Sequence, residues 1–341
     1  MRRLIAIVIS LLIVPLCAAQ RATEWVEWEA GDGPIGREHA TVLVDSARDR
    51  AVFYAGSGYE PQLSPLSDAW AVSLADGAWT ALDTRGDAPA GGGSKRAAAA
   101  GGGAFLLWGG YGAGFEVNND LLRARIVDDA LVFETIEQRN APPARALHGF
   151  AYDAARDRYL LFGGVSQRAM YDDVWSMRLV DGVAEWEQLE VERGPGERYG
   201  FAYAMDDAGD RFIVFSGAIP AQGLVCARDA WALNLAGDLP VWERVTDEEN
   251  TPEGRRNPQW AFDPASRRLY ITGGTADGRS AVQDLVALEL GDASARWVPC
   301  DAGDVAIRAS GMGFRDAQRG RIIFGMGNNA SGAYLDLYSV E

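Results

Sequence analysis

Six arginines recur along the chain at near-regular intervals: Arg37, Arg96, Arg145, Arg198, Arg255 and Arg308. Guanidinium groups brought to one place bind carboxylates or sulfates, because the planar fork meets two anion oxygens at once. In a chain whose formal net charge is −16, such a ring would be a local cationic focus. The competing assignment is structural: each arginine bonds main-chain carbonyls of adjoining units and holds them together. An aspartate recurs with the arginines, each following a glycine at a steady distance. The pairs are Gly58/Asp68, Gly110/Asp120, Gly164/Asp173, Gly217/Asp229, Gly274/Asp284 and Gly327/Asp336. This aspartate is expected to bind a neighbouring main-chain amide or an arginine. Catalytic chemistry has less to stand on. There are only two histidines, His39 and His148, both just after a recurring arginine, and no partner set makes them a metal or nucleophile site. A metalloprotease helix motif and a nucleophile elbow are both absent, and GGGSKR at Gly91 lacks phosphate-loop spacing. No catalytic residue, metal site or cofactor is assigned.

The elements that position these residues follow from one repeated pattern. YLLFGGVSQRAMYDDVWSMRL, starting at Tyr159, joins an apolar run to two glycines, a polar stretch, an aspartate and an alternating segment with Trp175. Related copies start at Ala51, Phe105, Phe212, Leu269 and Ile322. A catalytic loop occurs once, so six copies indicate a building unit. Ahead of most apolar runs lies a turn rich in Asp and Arg, as in DSARDR at Asp45 and DAARDR at Asp153, which reads as a hairpin. A strand precedes each turn, and two more follow the aspartate, the last carrying Trp79, Phe133, Trp186, Trp242 or Trp297. Four strands in a repeat of roughly 50 residues define a β-propeller blade. The sixth unit lacks its fourth strand, and EWVEWEAGDGPIG at Glu24 matches one. The expected fold is all-β: a six-bladed β-propeller of four-stranded blades, its last blade closed by the N-terminal strand, forming one domain over residues 20–341.

The double glycine, the aspartate before a Trp strand, the later Trp and the opening arginine resemble the Kelch repeat, over nearly all of the chain from Glu24 to Glu341. The resemblance implies a ligand pocket on the channel face, with the six arginines as its possible contacts. The loops between second and third strands vary while the framework repeats, and loops on a rigid scaffold carry binding. Tyr59, Tyr111 and Tyr171, with Phe115 and Tyr334, would supply contact area there. Some Kelch relatives are enzymes. The galactose-oxidase-like ones need two Tyr and two His copper ligands and a Cys–Tyr crosslink, and no cysteine here has a matching context. Another exported group with six Kelch blades interconverts sialic acid anomers with an acid/base pair and a carboxylate-binding arginine. Two functions are therefore carried forward. The first is a non-catalytic recognition module for a protein or glycan partner. The second is a sugar-acting enzyme of the sialic acid mutarotase type.

The first twenty residues, MRRLIAIVISLLIVPLCAAQ, read as a signal peptide over residues 1–19: a basic start, an apolar run and a small-residue cleavage site. The expected destination is secreted, periplasmic or cell envelope, with no membrane insertion once the leader is removed. The acidic balance argues against nucleic acid, and a monomer is expected. Cys226 and Cys300 remain in the mature chain. They would pair as a disulfide in an oxidising compartment or stay as separate thiols.

Overall fold

Alternating apolar strands separated by glycine- and aspartate-rich turns pair as consecutive antiparallel neighbours. The computed structural model describes residues 25–28, 33–59, 62–192, 194–246, 251–292, 294–303, 307–329 and 332–340; the segment expected to be a signal peptide, residues 1–19, lies outside them. In the third unit, strands Gly149–Asp153, Arg158–Phe162, Val174–Val180 and Val183–Leu189 pair in chain order. The same four-stranded meander occurs six times. Its innermost strands are Thr41–Asp45, Arg96–Ala99, Gly149–Asp153, Ala202–Asp206, Gln259–Asp263 and Met312–Asp316. Each lies against the next, and the sixth returns to the first. The units are therefore blades of a propeller around a central channel.

The sixth blade takes its fourth strand from the other end of the chain. Trp25–Trp28 pairs antiparallel with Leu337–Val340, with Trp25 opposite Val340. This closure satisfies an edge that would otherwise stay open to another chain. Other outer edges are covered by parallel pairing. Strand Trp79–Gly86 of the first blade runs beside Ala130–Thr135 of the second. Gln138–Arg139 runs beside the fourth strand of the third blade.

The core lies between blades, and the fourth-strand tryptophans fill it. Trp186 meets Trp108 of the preceding blade at 5.6 Å between ring centroids, Trp242 meets Phe162 at 4.9 Å, and Trp297 meets Phe215 at 4.6 Å. Large aromatics suit this task because each hides ~150–250 Å². The indole N–H groups of Trp108 and Trp186 both donate to Gln138 Oε1, so this pair is buried without an orphaned donor.

The Asp- and Arg-rich hairpins on the opposite face do more than turn the chain. Arg156 of the third blade grips Asp210 of the fourth at 2.7 and 2.8 Å. Arg267 reaches back from the fifth blade to Asp206, and Arg315 from the sixth to Asp263 at 2.7 Å. Arg319 closes the ring on Asp49 of the first blade, with two contacts of 2.7 Å. In the second blade Gly101, Gly102 and Gly103, all at positive φ, replace the charged turn. There Arg50 of the first blade reaches the main-chain oxygen of Asp128 instead.

Of the two alternatives for the cysteines, the structure has the separate thiols and not the disulfide. Cys226 and Cys300 are both free thiols. Cys226 Sγ lies 3.7 Å from the carbonyl oxygen of Thr275, in the loops of the channel face. Cys300 ends the outermost strand of the fifth blade, its Sγ near Val298 O. Burial pushes the Cys226 thiol up to about 11 and raises Cys300 as well.

Candidate functional site

Five of the six recurring arginines are fasteners. Arg37, Arg145, Arg198, Arg255 and Arg308 are at most 3% exposed. Each forms a two-pronged pair with the aspartate of its own unit: Asp68, Asp173, Asp229, Asp284 and Asp336. The first four also donate to a carbonyl at the end of their own second strand, at Ala55, Gly163, Ser216 and Gly273. Trp70, Trp175 and Trp231 donate their indole N–H to the same aspartates, as Tyr338 does with its hydroxyl. Tyr171 and Tyr334 lie flat over Arg145 and Arg308, each at 3.7 Å. These guanidiniums are closed off from a ligand, so a ring of five ligand contacts is not what the fold builds. The fastening also differs from the expected one. The side chains tie strands within a blade, while main-chain bonds join neighbouring blades, such as Gly164 N–H to Arg198 O at 2.8 Å and Gly327 N–H to Arg37 O at 2.8 Å.

Arg96 is corrected separately, because it does not occupy the recurring position. Gly56 N–H donates to Gly92 O at 2.7 Å, as Gly110 N–H donates to Arg145 O. Gly92 is thus the second blade's equivalent of the arginine. A Cβ there would stand 1.8 Å from the carbonyl oxygen of Tyr111, so no side chain fits. Lys95 reaches in from three residues later, and its Nζ donates to Gly109 O at 2.9 Å and Asn118 Oδ1 at 3.2 Å. Arg96 is left to open the inner strand and faces the channel. Its Nε donates to His148 O at 3.1 Å, and its guanidinium lies 4.8 Å over the ring of Trp260 and 5.9 Å from that of Tyr203.

Two cavities meet along the channel. The outer one, about 390 Å³, is lined by Tyr111, Tyr199, Arg256, Asn257, His39 and Gln167 among others. The inner one, about 320 Å³, shares His39 and Asn257 and continues past Arg96, Tyr203 and Trp260. Arg256 donates to Tyr199 Oη at 3.0 Å, while its buried Nε has no protein partner. Burial, with Arg96 and Arg256 nearby, pushes His39 down to about 3, so its imidazole is neutral at ordinary pH. Beside His39 in sequence, burial pushes the Glu38 carboxyl up to about 7 despite a bond with Tyr59, and Asn328 donates to Glu38 Oε2.

Of the expected contacts, Tyr111 lines the outer cavity and Arg96 the inner one. Tyr59 is 41% exposed beside Glu38. Tyr171 packs on Arg145, with its hydroxyl 3.2 Å from Ser166 Oγ. Arg256, Tyr199, His39 and Asn257 escaped the sequence reading as ligand contacts. One signal was available: only the fifth unit carries a second arginine directly after the recurring one. Among the described residues no group of three or more His, Cys, Asp or Glu could hold a metal ion.

Ring, channel and repeated Arg–Asp fasteners define a Kelch-type β-propeller. The profile of the KLHDC2/KLHL20/DRC7 Kelch-repeats domain matches residues 95–325, and the chain belongs to this Kelch-repeat family. The solved structure of YjhT is similar over 90% of this chain and 94% of its own, with a TM-score of 0.66 at 15% identity, a likeness of fold. Among curated proteins, the dynein alpha chain of the flagellar outer arm of Chlamydomonas reinhardtii is 31% identical over 193 residues. Adagio protein 3 of Arabidopsis thaliana is 26% identical over 150 residues. These matches span 54% and 43% of this chain, but 4% and 23% of the two relatives.

Proposed function

We propose that the protein is an exported, non-catalytic recognition module. It takes an acidic group of a protein or glycan partner into the outer cavity, and the surrounding loops between second and third strands supply the wider contact. One observation carries this reading. Five of the recurring arginines are closed off by their aspartates, while Arg256 stands in the cavity wall, bonded to Tyr199 Oη and, among the described residues, paired with no carboxylate. A guanidinium beside Tyr199 and Tyr111 offers directed donors and flat contact area, the combination that anchors interfaces. The leader-like N-terminus supports export. The sugar-acting alternative has its own support in Glu38, next to His39 of the cavity wall; burial pushes the Glu38 carboxyl up to about 7, a value that suits proton transfer at ordinary pH.

The test is a thermal-shift and calorimetric screen of the mature protein against N-acetylneuraminate, glucuronate and a Glu/Asp-rich peptide. Arg256→Gln and Arg145→Ala serve as comparisons. Binding by an acidic probe that disappears in Arg256→Gln, with the melting point kept, is the expected result. Binding indifferent to Arg256 would overturn this assignment of the mouth. Exchange of sugar anomers by the wild type, lost in Glu38→Gln, would replace recognition by catalysis.

A further inference from the structure

Arg96 presents a problem of charge. It sits inside the channel, and among the described residues no carboxylate pairs with it. Its nearest charged neighbours are cationic or neutralised. Lys95 is adjacent in sequence and buried. His39 and His148 are both driven to the neutral form, with Arg96 itself among the causes. Arg96 is half-buried, and withdrawing a cation even partly from water without a counter-charge is costly. Stacking on Trp260 relieves part of this, but a stacked guanidinium still directs its N–H groups outward in its own plane. One of them meets His148 O. An anionic group placed in the plane of the guanidinium would supply the counter-charge that the protein does not.

The walls indicate what kind of anion fits. Blades three, four and five contribute Tyr152, Tyr203 and Trp260, whereas the first, second and sixth contribute Val42, Ala98, Gly311 and Met312. The aromatic walls therefore lie on one half of the channel. The space left, about 320 Å³, lies in the range of small-molecule sites, which combine apolar walls with a few directed polar groups. His39 and Asn257 line both cavities, so the inner one adjoins the outer along the channel.

We propose that Arg96 is the anchor of a second, internal site. It takes a small organic anion, a carboxylate on a flat apolar body, which enters by the mouth and lies along the wall of Tyr203 and Trp260. This site stands on residues other than Arg256 and needs no protein partner. It can hold or fail independently of the recognition reading.

The test uses benzoate as the probe, with neutral benzamide and inorganic sulfate at matched ionic strength, followed by calorimetry and thermal melts. Benzoate should raise the melting point of the wild type, and benzamide and sulfate should not. Arg96→Gln should weaken benzoate at least about tenfold, the usual effect of losing a charged hydrogen bond. Its own melting point without probe should stay level or rise, because an unbalanced cation has been removed. Arg256→Gln should keep benzoate affinity within about threefold, as expected for a site whose direct contacts remain. Equal shifts with benzamide would overturn the proposal without any variant, so a poorly folding Arg96→Gln does not block the decision. Undiminished benzoate binding in Arg96→Gln, or no binding by the wild type, would overturn it too. Binding lost in Arg256→Gln but kept in Arg96→Gln would move the anion to the mouth.

Discussion

Replacing Arg145 by alanine tests the division between fasteners and site most directly. The wild-type side chain is fully buried. It grips Asp173 with both terminal nitrogens, donates to Gly163 O and Pro143 O, and lies under the ring of Tyr171. Removing one partner of a buried pair costs about 3–5 kcal/mol, because the other charge stays behind. Asp173 softens the loss in two ways: its side chain is 16% exposed, and it keeps the indole N–H of Trp175 at 2.7 Å. The expected loss is therefore near the lower end, about 3 kcal/mol. For a chain of this size each kcal/mol shifts the melting point by roughly 2–4 °C, so the fall should be roughly 6–12 °C.

The assay is urea unfolding followed by tryptophan fluorescence, on Arg145→Ala, Asp173→Ala and the double variant. Asp173→Ala should cost at least as much, because it strands a cation with no exposure at all. The double variant should cost less than the two singles together, by at least about 1 kcal/mol, since neither charge is left unpaired. Arg37→Ala should cost less than Arg145→Ala, because Asp68 is 42% exposed and the lone carboxylate rehydrates. The reasoning is refuted if Arg145→Ala costs under about 1 kcal/mol while acidic probes no longer bind. Arg145 would then be a ligand contact after all.

Glu38 should set the pH profile. Its folded value of about 7 exceeds its ordinary value of 4.5, so the folded state binds the extra proton and stability falls as pH rises from about 4.5 to 7. Glu38→Gln should flatten that slope and gain on the order of 1–3 kcal/mol at pH 8; an unchanged slope in melts from pH 4.5 to 8 would contradict it. Below about pH 4 the trend reverses, because at Asp206 bonds from Arg267 and Arg211 outweigh burial and hold the carboxyl below its usual range. Deleting residues 20–28 should strip the sixth blade of its fourth strand and expose the edge of Leu337–Val340, with a lower melting point and self-association by light scattering. A monomer of unchanged stability would show that the ring does not depend on this strand.

The repeated features were legible in the sequence because repetition is itself evidence. Six copies of glycine and aspartate at steady spacing identified the blade, and the unpaired fourth strand at Glu24 identified the closure. Errors arose where one blade departs from the pattern. In the second unit Lys95 and Arg96 are the cations nearest the expected place, and only the main-chain bond from Gly56 reveals that Gly92 holds it. The pairing of arginine with aspartate was half visible. Both recur in phase, but roughly 30 residues separate them, and nothing local shows that they meet. The blade-to-blade latches were hidden for the same reason, since DAARDR is a sufficient turn without a partner. Arg256, Tyr199 and His39 do not repeat, so periodicity could not point to them.

A propeller built from one motif must find its binding specificity where the motif is broken. An arginine that recurs with an aspartate is matched in the five blades that carry it, and its charge is cancelled where it stands. A cation outside that phase has no built-in partner. The second blade shows how this arises. Gly92 admits no side chain, Lys95 takes over the carbonyl of Gly109, and Arg96 becomes surplus to the framework. The fifth blade reaches the same end by addition, with Arg255 on Asp284 and Arg256 beyond it. Both surplus cations line the connected cavities of the channel, in a chain whose net charge is −16. The local positive field of these two cations would draw an acidic ligand inward past a surface that otherwise repels it. Raising ionic strength should therefore weaken an acidic probe at the mouth more than it weakens the Arg145–Asp173 pair.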